Sequence, residues 1–410
     1  MKIQFLFTSL FFFSLFAVAQ TPVLSTAEVL SLVKQNHPEL LGARLKVSQQ
    51  EQILKGGPVV PKTDFSMTLG QYNSIQKRDN NITISQSIPF PTVVYRQRNF
   101  ARASVQEATM QEALSLSQRI LETRLLMTEM LYLKARADAL LRQDSLLKRT
   151  AEIANYQYKA GEKSELTKLS AESQQQQISN EWRMALQDLQ SAQARLQLLC
   201  GVDYQFDISG LIEQLPVPLI DTINLDNNPE KALSAANITL AVEARKLEAA
   251  RALPDLRLGY FSQTLIGTQN INGQDQYFDG SKRFQGLQIG LSIPVLYFNT
   301  RGQIRSLKIQ EDIARQQDAN TSLNIGIGYE KLIRSIQKDK STIDYYKRYA
   351  LPTVKQLTSQ SMKAFIAGDI DFINLSMHRQ QELSVQEAYL LALLHYHQNV
   401  TQLEHLTGNY

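Results

Sequence analysis

Apolar positions along the chain change period several times. Phe65, Met67 and Leu69 alternate with Ser66, Thr68 and Gly70, and Ile82, Ile84 and Ile88 alternate with Thr83, Ser85 and Ser87. A period of two sets apolar and small polar side chains on opposite faces of a strand. With the polar turn around Lys77 to Asn81, residues 62–90 predict a β-hairpin. Leu256, Leu258 and Tyr260, then Leu287, Ile289, Leu291 and Ile293, predict a second over 255–294. Its turn is longer by 12 residues, and the Gly, Asn, Gln and Asp between Thr268 and Lys282 suit an exposed loop.

Elsewhere the period is helical. Leu126, Leu133, Leu140, Leu147 and Ala154 recur every seven residues, as do Ile336, Ile343, Ala350, Leu357 and Ala364. Such series predict packed coiled-coil seams. The first lies in a helix from about Val93 to Ala160, roughly 100 Å long if continuous. The second lies in a helix from near Thr300, which Pro352 must kink or break and which Gly326 and Gly328 weaken. Shorter helices precede the hairpins, at about Thr26–Lys55 and Pro229–Ala252. Others follow Gly161 and Gly368, the first from about Ser164 to Leu199 and the second to Leu406.

The pattern is stated twice. Tyr158-Lys159-Ala160-Gly161-Glu162 recurs as Phe365-Ile366-Ala367-Gly368-Asp369, and Leu196–Gly201 recurs as Leu403–Gly408, both 207 positions apart. Ser87-Ile88-Pro89-Phe90 matches Ser292-Ile293-Pro294-Val295, and Asn36-His37-Pro38-Glu39 matches Asn227-Asn228-Pro229-Glu230. Landmarks in one order mean one unit used twice. The reading is a signal peptide over 1–19, a first repeat over 20–201, a connector over 202–228 and a second repeat over 229–410.

Composition narrows the function. Lys2, the apolar run Ile3 to Phe16 and Ala17-Val18-Ala19 have the layout of a cleavable export signal. Position 20 is Gln, which argues against a lipid-anchored start. Without Lys2 the chain keeps 42 basic against 39 acidic residues, too balanced to imply nucleic acid. Cys200 is the single cysteine, so no internal disulfide forms; it reads as a small apolar residue at a helix end. No later stretch has the roughly 18 apolar residues of a transmembrane helix. No catalytic constellation emerges. His37, His378, His395, His397 and His405 are scattered, and His395-x-His397 has the wrong spacing for one helix face. No cofactor or resident metal is expected.

Four strands with lipid-compatible alternation cannot close a barrel alone, because open edges in hydrocarbon leave backbone groups unpaired. Three copies supply 12 strands, enough to surround water. A periplasmic adaptor carries one helical hairpin between separate β-modules, whereas here the strands lie inside helical repeats. A secreted coiled-coil protein leaves the amphipathic hairpins unexplained.

The duplicated helix-strand-strand-long helix-helix order, the Asn-x-Pro-Glu starts and the Ala-Gly-Glu/Asp turns resemble the TolC-like outer-membrane efflux proteins. The resemblance implies a mainly α protein with a small β part, in which a homotrimer forms a 12-stranded barrel in outer-membrane lipid and a helical tunnel in the periplasm. It implies a passive exit duct that serves a periplasmic adaptor and an inner-membrane RND pump. Gly70-Gln71-Tyr72-Asn73-Ser74, Asp79-Asn80 and Ser85–Thr92 are similar to the heavy-metal branch (CusC and CzcC types), especially the proteins that accompany CzcA-type pumps in Bacteroidetes. That likeness implies heavy-metal cargo, with drugs or other organic molecules as the alternative. The family's adaptor contact maps onto Ala160, Gly161, Glu162 and Ala367, Gly368, Asp369. Its acidic aperture ring maps onto Asn374 and Met377, neither of them acidic, while Asp369 and Asp371 lie just upstream.

Overall fold

The computed structural model describes residues 22–71, 74–215, 227–293 and 297–409. The signal peptide, Tyr72, Asn73, Pro294, Val295 and residues 216–226 of the connector lie outside the described residues. Two compact units form. One gathers the described residues up to Val33 with Leu126–Leu215 and Tyr346–Leu394, and the other gathers Lys34–Leu125 with the described residues of Pro216–Tyr345 and His395–Tyr410.

The second of these units holds the sheet. Strands β2 (Asp64–Leu69), β3 (Asn80–Ile88), β5 (Asp255–Thr264) and β8 (Arg283–Ser292) pair antiparallel in the order β2-β3-β5-β8. The register follows the predicted alternation. Phe65 faces Ile84, Ile84 faces Tyr260 and Tyr260 faces Leu287 across successive strands. Residues between them in sequence, such as Ser66, Thr83, Phe261 and Gly286, form a row on the other face. The expected loop around Thr268 to Lys282 is instead mostly a second hairpin, β6 (Gly267–Ile271) and β7 (Gln274–Phe278). Asn272 and Gly273 at φ 55° and 86° supply its turn, the conformations a two-residue type I′ connection needs. One buried carboxylate fixes its base. Asp79, in the β2–β3 turn, accepts from Thr264 Oγ1 (2.9 Å), the Ile266 N–H (3.0 Å) and the Ser74 hydroxyl.

Helices α2 (Pro38–Lys55), the first part of α3 (Pro91–Lys159), α5 (Pro229–Arg251) and α6 (Tyr297–Tyr345) belong to the same unit. The predicted helix over Thr26–Lys55 is in fact two, α1 (Thr26–Asn36) and α2, parted at His37 because Pro38 blocks continuation from an extended residue. Pro229 likewise opens α5, and there Asn228 caps the helix by accepting from the Glu230 and Lys231 N–H groups. Of the two glycines in α6, a Cβ on Gly328 would make an ordinary contact with the Leu406 side chain at 3.8 Å, and a Cβ on Gly326 would meet open space.

The other unit packs the remainder of α3 with α4 (Glu165–Cys200), α7 (Leu351–Ala367) and most of α8 (Phe372–Leu406). Leu126, Leu133, Leu140, Leu147 and Ala154 are all buried, as their spacing predicts. Ala171, Ile178, Ala185 and Ala192 of α4 carry a matching seven-residue series, also buried. The short strands β1 (Val23–Leu24) and β4 (Asp207–Ile208) pair parallel in this unit, so part of the connector is ordered. The second predicted seam needs correction. Ile336 is buried and Ile343 packs on the same cluster, but beyond Ile343 the buried residues are Val354, Thr358, Ser361 and Phe365, while Ala350, Leu357 and Ala364 are only half-buried. A π-helical turn at Tyr346–Ala350 explains the shift after it. Such a turn absorbs one extra residue, so each later inward position falls one residue further along. Pro352 lacks the N–H that would bond to Arg348, and the turn sits where that bond is missing.

Candidate functional site

The predicted site residues occupy two helix–helix turns built alike. Gly161 (φ 78°) and Gly368 (φ 87°) take the left-handed conformation that ends a helix without a Cβ penalty. Around them the bonding repeats: Gly161 N–H to Tyr158 O (2.9 Å) and Glu162 N–H to Gln157 O (2.9 Å), then Gly368 N–H to Phe365 O (3.2 Å) and Asp369 N–H to Ala364 O (2.9 Å). This paired pattern is a Schellman motif, and it satisfies carbonyls the helix ends would otherwise leave open. Gly201 and Gly408 close α4 and α8 the same way. The following helices start alike as well. Ser164 accepts the Thr167 N–H, and Asp371, 207 positions later, accepts the Asn374 N–H at 2.9 Å and its side-chain amide at 2.8 Å.

Both turns lie over one apolar cluster. Ala154 of α3, Ala171 of α4, Phe365 of α7 and Phe372 and Leu375 of α8 are buried together. Phe365 and Phe372 meet edge-on at 6.4 Å between centroids. The cluster brings Ala160, Gly161 and Glu162 to the same end of this unit as Ala367, Gly368 and Asp369, and all six are exposed. Asn374 and Met377 are exposed on the first turns of α8. Asp371 is not a free acid, since one of its oxygens is committed to the cap, whereas Asp369 is engaged only through its backbone N–H. Sequence reasoning missed the exposed apolar residues beside the turns. Leu166 and Ile373, equivalent by the 207-residue offset, are 69% and 65% exposed, with Ile366 and Leu169 close by. The offset itself was the signal that could have found them.

Two of the histidines are held by serine hydroxyls. His378 Nδ1 lies 2.6 Å from Ser361 Oγ, and His405 Nδ1 lies 2.8 Å from Ser117 Oγ. Burial pushes the His405 imidazole below its ordinary pKa, so it sits neutral in the packing. Burial pushes the Cys200 thiol up to about 11. Among the described residues no cluster of His, Cys, Asp and Glu could hold a metal ion.

The sheet is the other unusual surface. Phe65, Met67, Leu69, Ile84, Ile88, Leu256, Leu258, Tyr260, Leu287, Ile289 and Leu291 share one face and are all exposed, Leu287 to 82%. Soluble monomers rarely leave so large an apolar patch in water. The opposite face is polar and carries glycines under large neighbours. The Phe261 ring covers Gly286 so closely that a Cβ there would lie 2.5 Å from it. Among the described residues β2 and β8 are both edge strands without a second neighbour.

No sequence-family profile and no curated protein matches the chain. Solved structures do. The Campylobacter jejuni CmeC outer membrane channel aligns at TM-score 0.76 and 14% identity, over 94% of this chain and 85% of that one. The Vibrio cholerae outer membrane protein VceC aligns at 0.74 and 13%, over 93% and 96%. CusC, described with transmembrane channel formation, aligns at 0.77 and 13%, over 94% and 92%. The chain has a TolC-like channel fold. That fold is mainly helical with a small β part. CusC at 0.77 and the outer-membrane channel OprN at 0.77 are equally similar, so the likeness selects no branch.

Proposed function

We propose that this protein is the outer-membrane channel of a tripartite efflux system, a homotrimeric passive duct that receives substrate from an RND pump through a periplasmic adaptor. One observation carries the reading: a four-stranded sheet with eleven large apolar side chains exposed on one face, a mostly polar reverse face and, among the described residues, two open edges. In hydrocarbon the apolar face is satisfied and the edges are not, and pairing with sister sheets removes the cost of several kcal/mol per unpaired group. The export signal at the N-terminus agrees with that destination. No helix among the described residues is long and apolar enough to cross a membrane.

The exposed turns at Gly161 and Gly368 are the proposed adaptor contact, with Leu166 and Ile373 as apolar anchors beside them. Asp369, repeated by symmetry, places carboxylates near the mouth, and such a ring favours cations. Heavy-metal ions are the proposed cargo on the strength of the sequence resemblance. They are substrates in transit and require no tight site.

Fractionation with chemical crosslinking tests the channel. A detergent-extracted outer-membrane trimer is expected, and a soluble periplasmic monomer overturns the reading. A deletion strain tests the cargo. Increased sensitivity to Cu, Ag, Zn, Co or Cd is expected, and unchanged tolerance to all five removes the metal assignment.

A further inference from the structure

Acidic residues are missing from two stretches of the chain. From Asn80 to Gln106 there is no Asp or Glu, and from Gly280 to Gln310 there is again none. Each stretch runs through a strand, β3 or β8, into the first turns of the long helix that leaves it, α3 or α6. The helical parts carry Arg96, Arg98 and Arg102, then Arg301, Arg305 and Lys308. Neither helix has an acidic residue in its first turn. Cations near a helix start oppose the helix dipole, so this residue choice works against the helix. Arg96 is paired with Glu243 at 3.7 Å, and Lys308 with Glu311 and Asp312 at 3.2 and 2.8 Å. The other four arginines are exposed and, among the described residues, pair with no carboxylate.

The carboxylates at this end of the sheet are turned elsewhere or held. Asp64 lies opposite Ser85 and Asp255 opposite Ser292, in the register of the polar face. Glu243 and Glu248 of α5 are bridged by Lys246 and Arg251. Three exposed aromatic residues, Phe90, Tyr95 and Phe298, sit at the same junction, just past the apolar face. Aromatic rings followed by cations mark the boundary between hydrocarbon and water. At 1.5 Å per residue, Arg301, Arg98 and Arg305 lie roughly 6, 10 and 12 Å along their helices. Helical side chains lean towards the N-terminus, which here is back towards the sheet. A headgroup layer roughly 5–8 Å deep is within their reach.

The packing of α3 says which way its arginines face. It meets α5 through Val93, Arg96 and Phe100, and α2 through Glu112 and Arg119. At 100° per residue those two contacts lie about 120° apart around the helix, and Tyr95, Arg98 and Arg102 fall in the wide arc left over. In a wall that closes around water, the neighbours of a helix crowd its inner side, so the wide arc faces outward.

We infer that Arg98, Arg301 and Arg305 hold the phosphates of anionic phospholipids in the leaflet on the helical side of the sheet, with Tyr95 and Phe298 at the hydrocarbon boundary. Guanidinium groups suit this role because their planar fork matches phosphate oxygens. The inference rests on the outer-membrane reading above and adds the lipid chemistry that the wall selects. The full-length oligomer, extracted in mild detergent, is titrated with phosphatidylglycerol or phosphatidylcholine, and bound lipid is counted by native mass spectrometry. An arginine beside an anionic lipid surface contributes roughly fivefold in affinity, so the parent is expected to prefer phosphatidylglycerol by on the order of tenfold or more. The triple variant Arg98→Gln/Arg301→Gln/Arg305→Gln is expected to bind the two lipids alike, with the mass and helix content of the parent. Where the triple variant does not assemble, Arg98→Gln and Arg305→Gln singly are each expected to lose part of the preference. Lys331→Gln/Lys338→Gln, on exposed cations further down α6, keeps it. Inorganic phosphate at the same concentration leaves the phosphatidylglycerol bound. Equal binding of both lipids by the parent, a preference that survives the arginine substitutions or falls equally with the Lys331 and Lys338 pair, or release of lipid by inorganic phosphate overturns the assignment. A parent recovered only as a soluble monomer overturns the channel reading instead, whereas an oligomer indifferent to lipid charge overturns this site alone.

Discussion

Gly161 and Gly368 make their turns and, in the function proposed above, also meet an adaptor, two roles that chemistry can separate. At φ 78° and 87° any L-residue is strained, by roughly 1–2 kcal/mol for a left-handed conformation. A Cβ built at either position meets nothing within 4 Å, so no steric term adds to that cost. Alanine and tryptophan therefore impose a similar backbone penalty at each site, and tryptophan alone adds bulk, directed into open space. The protein is expected to assemble as Gly161→Ala and as Gly161→Trp, with similar modest losses of heat resistance. Efflux, read as substrate tolerance in a deletion strain, together with adaptor capture by crosslinking, should survive the alanine and fail with the tryptophan. The same contrast is expected at Gly368. Equal loss of efflux in both variants makes the glycine a turn residue only, and full efflux with tryptophan removes this surface from docking altogether.

Glu311 is held at about 2 by hydrogen bonds from Arg315, Arg245 and Lys308, which outweigh its burial. A depressed carboxylate contributes stability above its unfolded pKa near 4.5 and loses it as pH falls towards 2. Glu311→Gln should therefore speed amide exchange in α5 and α6 at pH 7, with the difference from the parent vanishing at the acid end of that window. Gly286→Ala forces the Phe261 ring off its seat and should lower the yield of folded protein, and adding Phe261→Ala should recover it. Deleting Lys347 together with Pro352→Ala should turn the π-helical turn into plain α-helix while Phe365 stays buried. Deleting Lys338 instead rotates every later inward residue by about 100° and should leave insoluble protein.

The strands, their register and the first long seam were legible because each follows one period set by burial on one face. The turns were legible because glycine leaves few other readings where φ must be positive. Three features were not. The hairpin at Gly267–Phe278 carries no apolar alternation, since all but its base is exposed, so its polar residues looked like a loop despite the Asn272-Gly273 signal. The second seam broke step at a π-helical turn, which shifts the period without any residue that spells it. Asp371 reads in sequence as a carboxylate near a mouth, and only the Asn374 N–H beside it reveals a cap.

Asp79 has a consequence for how the duplicated gene product can be cut. It lies in the first half, yet two of its three donors, Thr264 and Ile266, come from the second. A ring assembled from first halves alone would strand an ionised group in a dry turn, at a cost of several kcal/mol. One assembled from second halves alone would leave its longer hairpin, Gly267–Phe278, without a root. The two copies are therefore bound to each other through one shared carboxylate, and cutting the chain between them exposes it.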